Sequence, residues 1–312
     1  MRKFLNAFHK FINIHSEFTG THSGSFFEVN KTLKKCKTKW QDICVVDTKE
    51  FGKALLLDGI TQLTETQEYQ YHEPMAHLPL LCHPNPESVL IIGGGDGALL
   101  RQVLLHPSIE KVDFVELDEG VVEFCKEYFP ELGASAFFDP RVSLHIEDGR
   151  AFANKAQAEK RSYDAVFMDM TDPAGPSLSL YTKEFFYTIE SLLKNDASFF
   201  IMHSESPDLR PKTFTKIHAT LNAVFPRVQP ITSYVRMYGG LWSWALCSKG
   251  TDAFYMDDST LEKRILERNL GNLKIINKDT WPSFFNLWPV HKNLLLQNTE
   301  PATDKNPDYP FN

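Results

Sequence analysis

Carboxylates recur at the ends of four successive apolar segments. Asp96 follows VLIIGGG, Glu116 and Asp118 close FVELD, Glu147 and Asp148 close LHIED, and Asp169 and Asp172 fall in VFMDMTDP. Each segment reads as a buried strand, and open parallel sheets bind ligands beyond the carboxyl ends of their strands. A single acid at such a place is often just the cap of the next helix. Four in a row predict an acidic crevice along one sheet edge, where cationic ligands are favoured.

The first two sites have nucleoside-binding spacing. Gly93-x-Gly95-x-x-Ala98 follows a strand and opens a helix, and Glu116 ends the next strand. Glycines there let the backbone approach a ligand, and the acid bonds two ribose hydroxyls. A dinucleotide would set its pyrophosphate over that helix N-terminus. Asp96 stands in the same turn, and like charges at ~4 Å repel by about 1 kcal/mol in water and more when desolvated. The pattern therefore favours a cationic nucleoside of the S-adenosylmethionine type. S-adenosylmethionine itself carries a carboxylate that Asp96 opposes. Its decarboxylated form ends in an ammonium, which Asp96 attracts. Asp148-Gly149 can pair with the adenine amine or cap the following helix. Asp169 and Asp172 could orient an amine and take its proton as it attacks carbon. The intervening Pro173-Ala174-Gly175-Pro176 forbids regular helix and shapes a loop suited to gating a pocket.

These acids need a scaffold. From Ser88 onward, near-continuous apolar strands alternate with amphipathic helices, which predicts a parallel α/β sheet covered on both faces. Segments around VQPITSYV and WSWALCSK predict an antiparallel ending. Before it, DICVVDT, KALLLDG and ITQLTE read as hairpins around KEFG and Asp58-Gly59. The expected fold class is thus α/β, a Rossmann-like methyltransferase-type sheet preceded by a small antiparallel β-domain. The expected division is 1–75, with an amphipathic N-terminal helix, and 76–312. YHEPMAHLPLLCH reads as a helix ending before Pro84, and STLEKRILERN as another with Ser259 as its cap and Glu262 three residues later. The closing NTEPATDKNPDYPFN reads as extended chain.

Bulk properties exclude several classes. The 312 residues carry a formal net charge of −7, without the basic footprint of a nucleic-acid binder. KTLKKCKTKW reads as a solvated strand face. Five cysteines without a C-x-x-C pair argue for reduced thiols rather than disulfides or zinc. His72 and His77 lie five apart and do not share a helix face, so no metal is expected. No apolar run reaches the ~18 residues of a membrane span. The N-terminus lacks a signal-peptide core. A cytoplasmic protein without nucleic-acid or membrane partners is the expectation.

Taken together, WQDICVVDTKEFGKALLLDGITQLTE, YHEPMAHLPLLCHPNP, VLIIGGGDGALLRQVLLHP, VELDEGVVEFCKEYFP, DPRVSLHIEDGRAF and DMTDPAGPSLSLYTKEFF resemble the polyamine aminopropyltransferase family, spermidine synthase and its relatives. The resemblance covers nearly the whole chain. It implies transfer of an aminopropyl group from decarboxylated S-adenosylmethionine, a co-substrate rather than a cofactor, to an amine such as putrescine. It also implies release of methylthioadenosine, no metal, and a homodimer or homotetramer. By matching motif, Gln41 would contact the donor, and Gly93, Gly95 and Gly149 would admit it. Asp96 would hold its ammonium, Glu116 its ribose and Asp148 its adenine. Tyr71 and His72 would lie at the donor–acceptor junction. Asp169 would be the base, and Asp172 would help anchor the acceptor.

The chain departs from the family pattern before its last strands. Many spermidine synthases carry Pro-Thr-Tyr there. Counting back from Cys247-Ser248-Lys249, Met237 takes the tyrosine's place and Tyr238 the next one, where Tyr238 could assume its role. Arg236 stands beside an expected polycation site. Trp242 and Trp244 share one strand face, as core or as pocket wall. GLWSWALCS and the closing segments resemble the branch with thermospermine synthases and broad-range bacterial enzymes. Alternative acceptors are therefore spermidine, for a spermine or thermospermine product, and agmatine. Readings of another type are an S-adenosylmethionine-dependent methyltransferase and a non-catalytic polyamine-binding protein.

Overall fold

The computed structural model describes residues 13–19, 22–250, 252 and 255–310. Five strands, β1 (Ile14–Phe18), β2 (Gly24–Lys37), β3 (Asp42–Thr48), β4 (Lys53–Leu57) and β5 (Ile60–Thr64), pair in that order as an antiparallel sheet. Asp58 and Gly59 turn β4 into β5 with φ of 49° and 81°. Positive φ at both central residues matches strand twist, which is why an Asp-Gly pair serves here. The N-terminal helix expected from sequence is not formed at 14–18, where Ile14 to Phe18 pair with Glu28 to Gly24. Edge pairing there satisfies the backbone and places Glu17 to accept a hydrogen bond from Thr61 N. The rest of that expectation, residues 1–12, lies outside the described residues.

A seven-stranded sheet follows in the order β11-β12-β10-β9-β6-β7-β8. Strands β6 (Ser88–Gly93), β7 (Lys111–Glu116), β8 (Val142–Ile146), β9 (Ala165–Asp169) and β10 (Phe199–His203) are parallel. β11 (Arg227–Val235) and β12 (Gly240–Ser248) close it antiparallel, as expected. Alternate strand residues serve opposite faces. Val89, Ile91, Phe114 and Phe167 pack beneath α1 (Tyr69–Cys82), α2 (Ala98–Leu104) and α3 (Glu119–Tyr128). Leu90, Ile92, Val166 and Met168 pack beneath α4 (Gly149–Ala158), α5 (Lys183–Leu192) and α6 (Pro211–Asn222). Near-complete burial on both faces explains why these strands read as unbroken apolar runs.

The chain builds outward from β6 through β7 to β8, then crosses to β9 and β10. The strand order thus switches between β6 and β9, where ligand crevices form in open α/β sheets. There Gly93 pairs with Asp169. α1 leads from the small sheet into the large one and is buried from Tyr71 to Cys82 despite internal Pro74 and Pro79. A boundary at 75/76 falls inside this helix.

α7 (Asp258–Glu267) begins one residue before the expected cap. Asp257, not Ser259, accepts from Thr260 N at 2.9 Å, and Ser259 Oγ donates to Asp257. A carboxylate accepts both donors, whereas Ser259 already sits inside the first turn. α8 (Trp281–Phe284) and α9 (Pro289–Leu295) follow. The closing segment, largely without regular structure as read, braces the functional edge. Asp304 accepts from Thr182 Oγ1 at 2.6 Å, and Tyr309 OH donates to Tyr181 O at 2.7 Å. Tyr181 OH in turn donates to Thr171 O at 2.9 Å.

Candidate active site

A cavity of about 500 Å³ opens at the carboxyl ends of β6, β7 and β9, beneath the β3–β5 hairpins. Its wall takes Asp96, Glu116, Asp148, Asp169 and Asp172 from the strand ends and Gln41 from the small sheet. Tyr71 and His72 come from α1, and Tyr238 precedes β12. Gly93, Gly95 and Gly149 line it as well, so the residues expected to bind the two substrates meet in one place, whereas Glu147 is not part of its lining.

The glycines have a steric reason. Gly93 and Gly94 have φ of +84° and +71°, conformations that a Cβ strains. A Cβ on Gly93 would stand 2.2 Å from Asp169 O, one on Gly94 2.8 Å from Asp169 Oδ2, and one on Gly95 2.9 Å from Glu116 Oε2. The turn is bare so that two strand-end carboxylates can close over it.

Asp96 is 9% exposed, and its Oδ1 accepts from Ala98 N at 2.7 Å. Burial, opposed by His72 and reinforced by Asp169, pushes its carboxyl up to about 6. Burial likewise pushes Glu116 up to about 7, against hydrogen bonds from Asp118, Leu117 and Gly95 backbone. Carboxylates raised this way are short of positive charge, and an entering cation relieves them. Burial alone would lower His72, but the Glu68 hydrogen bond and Asp96 outweigh it and raise the imidazole. His72 Nδ1 lies 3.0 Å from Glu68 Oε2, and Arg101 Nη2 donates to Glu68 Oε1 at 2.8 Å. This buried chain backs the Asp96 turn.

Tyr71 OH donates to Asp169 Oδ1 at 2.8 Å and fixes that carboxylate at the mouth of β9. Burial, with Asp169 next, raises the phenol well above its ordinary value, so it keeps its proton. Tyr238 crosses Tyr71 edge-on at 5.5 Å, and its OH donates to Gln62 O at 2.9 Å. Met237, which holds the family tyrosine's place in sequence, is buried against Thr64, whose Oγ1 lies 3.4 Å from its Sδ. The aromatic wall is therefore supplied by Tyr238. Arg236 leaves the site altogether, reaching Glu50 at 2.7 Å. Trp242 lines the cavity, whereas Trp244 is fully buried against Tyr71.

Gln41 is oriented by Asp118, to which its Nε2 donates at 2.9 Å. Asp118 also accepts from Thr38 Oγ1 at 2.7 Å and caps α3 through Gly120 N, tying the small sheet to the large one. Asp148 caps α4 by accepting from Ala151 N at 2.8 Å and also lines the cavity. The Pro-rich loop after β9 forms a 3₁₀ turn over Gly175–Leu180, pinned by Ser177 Oγ donating to Asp172 O at 2.6 Å.

Sequence reasoning missed four neighbours. Glu68 stands one helical turn before His72, a spacing that could have revealed it. Arg101 gave no local signal. Glu205 follows β10 and is another strand-end acid. Arg210 and Asp172 line the far wall of the cavity, and Arg210 also reaches Glu205, which is buried behind it. Among the described residues no group of three or more His, Cys, Asp or Glu side chains is arranged to hold a metal ion, and no helix is long and apolar enough to cross a membrane.

Comparison with known proteins agrees with this architecture. Residues 68–257 match the spermine/spermidine synthase domain, and residues 14–65 match the spermidine synthase tetramerisation domain. The chain is 34% identical to the polyamine aminopropyltransferase of Nitrosomonas europaea, over 91% of this chain and 86% of that one. It is 40% identical to that of Bacillus mycoides, over 80% and 91% respectively. A crystal structure of spermidine synthase in complex with the transition-state analogue AdoDATO superposes with TM-score 0.84 and 33% identity, covering 90% of this chain and 94% of that one. Spermidine synthase from Thermotoga maritima superposes with TM-score 0.82 at 32% identity, with the same coverage.

Proposed function

The chain belongs to the spermine/spermidine synthase family and is a polyamine aminopropyltransferase, and on that premise we propose that it transfers the aminopropyl group of decarboxylated S-adenosylmethionine to putrescine, giving spermidine and methylthioadenosine. The observation that carries this reading is the meeting of Asp96 and Asp169 in one cavity at the β6–β9 switch, where Gly93 pairs with Asp169 across a bare glycine turn. Asp96 suits the donor's ammonium, Glu116 its ribose hydroxyls and Asp148 its adenine amine, with Gln41 and Gly149 completing that wall. Asp169, Asp172 and Tyr238 suit the acceptor, and Tyr71 and His72 the junction between the two substrates.

The reaction is an in-line displacement. The acceptor nitrogen bonds to the carbon beside sulfur as the carbon–sulfur bond breaks, and the electron pair passes to sulfur. A neutral thioether leaves, so no acid is needed for the leaving group. The attacking amine gives its proton to Asp169. The site's tasks are alignment, deprotonation and gathering two cations. The tetramerisation domain match supports a homotetramer as the working assembly.

Assaying the donor with putrescine, cadaverine, agmatine, spermidine and norspermidine, with chromatography of the products, tests the acceptor. Spermidine as the fastest-formed product supports the proposal, and a faster reaction with any other amine overturns it.

The raised carboxyls give a pH dependence. Asp96 and Glu116 become ionised only above about 6 and about 7. Donor binding is thus present above that window and is lost as pH falls through it. Calorimetry with the donor alone should show affinity falling about tenfold or more between pH 7.5 and 5.5, whereas ordinary carboxyls near 4 would leave it flat. Constant affinity across that range would contradict the assignment.

A further inference from the structure

Beyond Asp169 the cavity ends in a cluster of different electrostatic character. Glu205 follows β10 with φ of 68° and is 0% exposed. Neither of its carboxyl oxygens makes a hydrogen bond. Burial, with the neighbouring Asp172 carboxylate next, raises its pKa well above the ordinary value, against the pull of Arg210. Arg210, just before α6, lines the same end of the cavity. Its Nε stands 3.7 Å from Glu205 Oε2 and its Nη2 3.9 Å from Asp172 Oδ2. Arg210 N donates to Ser206 O at 2.9 Å, and Pro211 opens the helix behind it. The guanidinium thus lies between the two acids, with its side chain 16% exposed.

A second ammonium arriving at Asp172 meets a cation already there. Asp172, the acid of this cluster that faces the cavity, would without a guanidinium form a far-end anchor for a diamine. With it, the local charge is largely offset, and the approaching ammonium is repelled at short range. We propose that Arg210 is a specificity-determining residue that offsets Asp172 and so weakens the hold on a second ammonium at the far end of the acceptor channel. This rests on the reading that the acceptor lies along Asp169 and Asp172. The consequence is a channel that favours a diamine over an equally long monoamine less than its carboxylates alone would.

The test compares putrescine with n-pentylamine, which replaces the second ammonium by a methyl group at the same chain length. The readout is the ratio of their kcat/KM values with decarboxylated S-adenosylmethionine, followed by methylthioadenosine release. Both values come from one enzyme preparation, so partial misfolding of a variant cancels in the ratio. Arg210→Gln should raise the putrescine preference about tenfold, and Arg210→Lys should leave it near the wild-type ratio. An unchanged or lowered ratio in Arg210→Gln overturns the proposal, as does an equal rise in Arg210→Lys. Methylthioadenosine formed by the wild type with neither amine overturns the acceptor reading and this inference with it. Normal turnover with an unmoved ratio overturns this inference alone.

Discussion

Asp169→Asn is expected to lower kcat for aminopropyl transfer by about 10²–10⁴-fold, the span of general base catalysis. The acceptor enters as an ammonium and cannot attack until it loses a proton. Asp169 is the acid held for this, its Oδ1 fixed by Tyr71 OH at 2.8 Å and its Oδ2 over the bare Gly94. Asparagine keeps the shape and still accepts from Tyr71, so the fold and donor site survive. It cannot take the proton. Donor affinity measured by calorimetry should therefore stay within about threefold while turnover collapses. Residual turnover should climb with pH as free amine appears in solution. A rate within threefold of wild type would remove Asp169 as the base.

Asp96→Asn should act on the other substrate. Truncating one member of a buried charge pair costs about 2–5 kcal/mol, so the dissociation constant of the decarboxylated donor should rise about 30-fold or more. S-adenosylmethionine, whose carboxylate Asp96 opposes, should lose less or bind more tightly. The ratio of the two dissociation constants is the readout, and it should collapse toward unity. Stability should not suffer. The folded carboxyl sits at about 6, above its unfolded value near 3.8, so protonation favours the fold and that contribution is lost as pH rises past about 6. Asparagine resembles the protonated form and retains the bond from Ala98 N, so Tm at pH 8 should match or exceed wild type. An unchanged donor ratio would take the ammonium away from Asp96.

The parts legible in the sequence were those governed by local period and by strand ends. Val89 to Ile92 read as a strand because both faces are buried, and Asp58-Gly59 as a turn because only such pairs adopt its φ values cheaply. The acids were found because a single topological rule places all strand ends at one edge. The same rule applied to HSES after β10 reaches Glu205, so that omission was one of application. Met237 and Tyr238 could not be told apart by counting. A short 3₁₀ turn, Arg236–Tyr238, decides which side chain faces inward, and its geometry depends on packing against Thr64 and Gln62. Arg101 and Arg210 were silent because Glu68 and Asp172 are brought to them only by the fold. The Asp257 cap was displaced from Ser259 by a stronger acceptor nearby.

Incubation of the purified protein with putrescine and either donor, followed by identification of the nucleoside product, tests the central claim most directly. Methylthioadenosine and spermidine are expected in equal amounts from decarboxylated S-adenosylmethionine. From S-adenosylmethionine, negligible turnover is expected. S-adenosylhomocysteine together with a methylated amine would contradict the claim.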